Sequence, residues 1–92
     1  MTPDELLRRY PRATLRWLRQ RLGLSQEDLA GLLGVAPETA ANWEAGSAPI
    51  RRPDKRRRLA AMLAPHLATP EGEVFARSLR GAKDARASEG GP

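Results

Sequence analysis

Few side chains in this sequence are equipped for bond-making chemistry. Cysteine is absent and His66 is the single histidine. Without cysteine there are no disulfides, no thiolate nucleophile and no cysteine-ligated zinc. A lone histidine without companion ligands reads as a surface or capping residue rather than a metal site. There is no glycine-rich phosphate loop. The close carboxylate pairs fall where acids commonly open helices, as in Asp4-Glu5 after Thr2-Pro3 and Glu27-Asp28 after Ser25. No catalytic residue, cofactor or metal is therefore expected, and an enzyme is not. What the chain has in quantity is arginine. Residues 51–58 hold six basic side chains and one acid, a local excess that equals the +5 of the whole 92-residue chain. Guanidinium groups at that density favour polyanions through counterion release.

The elements that would position these groups centre on Gln26–Ala45, QEDLAGLLGVAPETAANWEA. Ser25 can cap a helix over Gln26–Leu33, with Glu27 and Asp28 in its first turn. Gly34 then supplies the positive φ that ends a helix without a Cβ penalty. A second helix restarts at Pro37, where a missing N–H costs nothing, and stops at Gly46. Ala30 is small where that second helix must approach. Leu29, Leu33, Val35, Ala40 and Trp43 would fill the crossing. Two short helices crossing steeply in this way form a helix-turn-helix, whose second helix is presented to a DNA major groove.

Leu15–Gly46 resembles the lambda-repressor-like, or Xre/Cro, family of DNA-binding domains. The resemblance lies in L-R-Q-R-L-G-L-S-Q at 18–26, L-A at 29–30, L-G-V at 33–35 and N-W-E-x-G at 42–46, about a third of the chain. It implies an all-α fold, a compact bundle of about five short helices, and a sequence-specific regulator of transcription, commonly a repressor binding double-stranded DNA as a two-fold homodimer. It also implies that Arg19 pairs with Glu44, tying the first main helix to the end of the recognition helix. Ser25 and Gln26, at the start of the first motif helix, would hold a backbone phosphate, with Thr39 near the backbone. The loop after the recognition helix would bring Arg51, Arg52, Lys55 and Arg56 to phosphates. Base reading falls to Pro37, Glu38, Ala41 and Asn42. Asn42 can bond adenine in a bidentate way and Glu38 can accept from a cytosine amine. Pro37 and Ala40 depart from the residue types usual in the family.

An alternative keeps the same fold as a protein-interaction module, for example an antitoxin that binds a partner toxin through an apolar C-terminal face. N-W-E-x-G resembles the antitoxin kind in particular.

Taken in order, Thr2-Pro3-Asp4-Glu5 predicts a short helix to about Arg9, interrupted by Pro11. The main helix runs to about Leu22, with Leu15, Leu18 and Leu22 on its inner stripe and Trp17 beside it. Trp17 should pack under the N-terminal turn or the C-terminal helix, or else meet a dimer partner. Ser47–Asp54 is too proline-rich for regular structure, and Asp54 would cap a helix carrying Leu59, Met62 and Leu63 that Pro65 kinks or ends. Thr69-Pro70-Glu71 opens a last helix, with Val74, Phe75, Ser78 and Leu79 on one face, running to Gly81. Residues 1–81 thus make one domain, and 82–92, which have no apolar pattern, a disordered tail. No apolar run approaches a membrane span, and MTPDELLRRY lacks the apolar core of a signal peptide, so the expected location is cytoplasmic.

Overall fold

Thr2 and Glu5 cap the first helix reciprocally: the Glu5 N–H donates to Thr2 Oγ1 and the Thr2 N–H to Glu5 Oε1, both at 3.1 Å. That helix, α1 (Pro3–Arg9), is followed by α2 (Pro11–Leu22), α3 (Gln26–Leu33), α4 (Pro37–Ala45), α5 (Pro53–Leu67) and α6 (Pro70–Gly81). The computed structural model describes residues 1–81, and the expected tail over 82–92 lies outside them. The bundle is all-α, with six helices among the described residues, in keeping with the expected compact bundle of about five short helices. The sixth arises at Pro11, which cannot continue α1. Tyr10 takes a non-helical conformation (φ −133°) and α2 restarts directly behind it.

That break folds α1 back onto its neighbours. Leu6 and Leu7, adjacent in sequence, are both wholly buried because α1 packs against α5 on one side and α2 on the other. Thr14 is buried as well, and its hydroxyl donates to the Leu6 carbonyl at 3.3 Å. The core joins these leucines to Leu15, Leu18, Leu29, Leu33, Trp43, Leu59, Leu63 and Leu79. It also takes in Ile50 from the proline-rich stretch. Leu22, Leu24, Val35 and Met62 flank it half-buried.

Two local expectations are corrected at the C-terminal end, for Asp54 and for Val74 and Ser78, and one of the two outcomes expected of Pro65 is eliminated. Asp54 does not cap α5; the helix starts at Pro53 behind Arg52, whose side chain makes no capping bond, and Asp54 stands in its first turn. Pro65 does not end α5, which continues to Leu67. The carbonyl that Pro65 leaves without a donor is that of Ala61, and both residues lie on the exposed side of the helix. Val74 and Ser78 do not share the inner face of α6; Val74 is 60% exposed. The inner face is Phe75 and Leu79.

The α5–α6 corner is tight. The Thr69 hydroxyl donates to the His66 carbonyl at 2.6 Å and accepts from the Gly72 N–H at 3.0 Å. A Cβ on Gly72 would collide with the His66 carbonyl and the backbone of Leu67, so only glycine lets α6 cross there. Trp17 packs on this C-terminal helix: its ring stacks on Phe75 with centroids 4.5 Å apart and planes 6° from parallel. The Arg21 guanidinium covers Trp17 at 5.1 Å, and Arg21 Nε donates to His66 Nδ1 at 3.2 Å.

Candidate nucleic-acid interface

Helix α3 is held at both ends by its own sequence. The Asp28 N–H donates to Ser25 Oγ at 3.0 Å and the Ser25 N–H donates to Asp28 Oδ2 at 3.2 Å. Gly34 closes it at φ +70°, and the Val35 N–H reaches back to the Ala30 carbonyl at 3.0 Å. Ala30 is buried at the crossing, where a larger side chain would hold α4 away.

Helix α4 begins at Pro37 behind Ala36, which offers no side-chain cap, and ends at Gly46 (φ +78°), where the Ser47 N–H bonds the Asn42 carbonyl at 3.0 Å. Its sides differ in burial. Ala40, Trp43 and Glu44 are buried. Pro37, Glu38 and Asn42 are exposed, while Thr39 and Ala41 are half-buried. The Asn42 amide and the Glu38 carboxylate make no hydrogen bond among the described residues, which leaves both free to meet a ligand. Gln26 is half-buried and Ser25 exposed at the start of α3.

Arg19 fastens the end of α4 to α2. Its Nε donates to Glu44 Oε2 at 2.7 Å and its Nη2 to Glu44 Oε1 at 3.0 Å, a bidentate pair, while Nη1 reaches the Leu24 carbonyl at 3.1 Å. The hydrogen bond to Glu44 raises the Arg19 pKa against the opposing effect of burial. With the Glu44 side chain only 2% exposed, the carboxylate has no solvent to fall back on.

The basic flank divides into two groups. Arg51 and Arg52 are exposed and make no side-chain hydrogen bond or ion pair among the described residues. Arg57 and Arg58 are exposed too. Lys55 lies low: its side chain is 17% exposed, 3.7 Å from Asp54 Oδ2, and a Cβ on Gly34 would stand 3.6 Å from its ammonium. The ammonium therefore sits over the turn that leads into α4. Arg56, expected at a phosphate, is turned inward instead. Its Nε donates to Asp4 Oδ1 at 2.7 Å and its Nη1 to the Ile50 carbonyl at 2.9 Å. It joins α5 to α1 and to the loop after α4, so its role is structural.

Asp4 and Ile50 are the residues of this region that the sequence does not announce. Asp4 reads as an ordinary first-turn acid, but it also meets Arg8 at 2.9 Å and Arg56 across the bundle. The Arg56 hydrogen bond holds its carboxyl below the ordinary carboxylate value, outweighing the desolvation that pushes it up. Ile50 carries one local signal, a single branched apolar residue between Pro49 and Arg51 in an otherwise polar stretch.

Among the described residues no group of three or more His, Asp or Glu side chains is placed to hold a metal ion. No helix among them is long and apolar enough to cross a membrane.

A family model described as a helix-turn-helix domain matches residues 12–73, from the start of α2 into α6. No curated protein and no solved structure gives a significant match to the chain.

Proposed function

The chain belongs to the helix-turn-helix domain family, and from that membership we propose that it is a sequence-specific transcriptional regulator of the lambda-repressor-like kind. It inserts α4 into the major groove and acts as a repressor by occupying its operator. The division of α4 into two faces carries this reading. Ala40, Trp43 and Glu44 are locked into the bundle, so the helix cannot turn, while Glu38 and Asn42 stand in solvent on its other side.

In this role Asn42 offers its amide to adenine N7 and N6, and Glu38 accepts from a cytosine amine. Pro37 and Ala41 contribute apolar contact. Arg51 and Arg52 neutralise phosphates, with Lys55 beside the turn. The start of α3, with Ser25 and Gln26, and Thr39 on α4 fix the register on the backbone. So small a set of base contacts leaves a large share of affinity to phosphates and DNA shape. The apolar face that a toxin-binding module would need is largely taken up inside: Leu79 is buried and Phe75 is stacked on Trp17.

Selection of bound genomic fragments at physiological salt should return one recurrent site. Its affinity should fall with salt at a slope of about −3 on log–log axes, as phosphate neutralisation by Arg51, Arg52 and Lys55 requires. Recovery of unrelated fragments, or affinity indifferent to salt, would remove the regulator reading and leave the interaction module.

A further inference from the structure

Helix α2 carries Arg12, Arg16, Arg19 and Arg21 and no acid. Two of these are engaged: Arg19 with Glu44, and Arg21 with Trp17 and His66. Arg12 and Arg16 have no hydrogen-bonded or ion-paired partner among the described residues. We propose that Arg12, Arg16 and Gln20 form a second line of phosphate contacts, along α2 and beside the C-terminal end of α4, which grips the backbone of the same duplex that α4 enters. It rests on the groove-reading function proposed above and adds to it a binding surface outside the helix-turn-helix motif.

Arg12, Arg16 and Gln20 recur at i, i+4 and i+8, so they lie along one side of the helix over about 12 Å. Together with Ala13 and the edge of Trp17 they line a shallow groove of about 230 Å³.

The groove is tied to the recognition helix by Gly46. A Cβ there would stand 2.6 Å from Cδ of Arg12, so the glycine that ends α4 is also the seat on which the Arg12 stem rests. Positive φ demands glycine at this position, and the Arg12 stem occupies the space that the missing Cβ leaves. Arg12 is thereby half-buried along its stem while its guanidinium carries no internal partner among the described residues.

An acidic protein is a poorer occupant than a phosphate backbone. The one large apolar group in the groove is Trp17, whose ring is already engaged by Phe75 and by Arg21. No aromatic anchor is left for a protein hot spot. Two cations and an amide in a row are complementary to a regular anionic strand.

The test uses the full chain and a short random-sequence duplex, with affinity followed by fluorescence anisotropy from low to physiological salt. Arg12→Gln/Arg16→Gln keeps most of the aliphatic stems. It should make the slope of log affinity against log salt shallower by about 1.8, at about 0.9 for each phosphate no longer neutralised. Arg51→Gln/Arg52→Gln, measured beside it, gives the yardstick for two phosphates. A slope unchanged in the α2 variant but reduced in the loop variant overturns this inference and leaves the groove reading standing. A parent chain that does not bind duplex at all overturns both. If the double variant melts below the parent, Arg16→Gln alone decides, because that side chain is exposed; the slope should fall by about 0.9, and no change overturns the inference.

Discussion

Arg19 and Glu44 lie 25 residues apart and meet through two parallel hydrogen bonds of 2.7 and 3.0 Å, one residue from α2 and the other from the last turn of α4. The pair is lopsided: the Arg19 side chain keeps 21% of its exposure and that of Glu44 only 2%. Removing the arginine leaves a buried carboxylate with no charge partner, whereas removing the glutamate leaves a cation that can still reach water and the Leu24 carbonyl. Arg19→Met should therefore cost about 3–5 kcal/mol in urea unfolding, and Glu44→Gln less. Replacing both by apolar residues should recover much of the loss, and a double variant as unstable as the sum of the singles would mean that the pair is not a unit.

The Asp4–Arg56 contact makes stability depend on acid. The Asp4 carboxyl is held below its ordinary value in the folded chain, so the folded state binds that proton less readily than the unfolded one. Its contribution is present above the ordinary carboxylate range and is lost as the pH falls through the lowered native value. Asp4→Asn should flatten the acid limb of a melting-temperature profile measured from neutral to strongly acidic pH. An unchanged limb would assign the acid sensitivity to other carboxylates.

Glycine substitutions separate two kinds of constraint. Gly34→Ala forces a Cβ into the left-handed region at φ +70° and should cost about 1–2 kcal/mol. Gly72→Ala meets no dihedral objection but drives a methyl into the backbone at the end of α5, so it should cost at least as much and loosen α6. Loosening would be read as a change in Trp17 fluorescence, since Phe75 stacks on that ring. A Gly72→Ala protein with parental melting and emission would mean that the corner has room for a methyl group after all.

Asn42→Ala should lower discrimination between the preferred site and its adenine-substituted variants by about 1–3 kcal/mol, without a change in melting temperature, because the residue is exposed. Competition binding against single-base variants checks it. Equal loss at every variant would assign Asn42 to the backbone.

By itself the sequence determined the ends of α3 and α4. Ser25 with Asp28, Pro37, Gly34 and Gly46 act within four residues of themselves, through capping bonds and allowed dihedrals, and such local rules read directly from one chain. Periodicity placed Leu15, Leu18, Leu29 and Leu33 inside for the same reason, since a helix repeats its own face. What only the tertiary structure decided is which partners meet across the bundle. Arg56 and Arg51 are alike in sequence, yet one is spent on Asp4, 52 residues away, and the other stands in solvent. Leu6-Leu7 and Ile50 are core because α1 folds back at Pro11 and the loop after α4 is drawn inward. Trp17 and Phe75 stack because Gly72 lets α6 cross close to α5. Such pairings join residues distant in the chain, and no local propensity encodes the choice among several arginines of which one finds an acid.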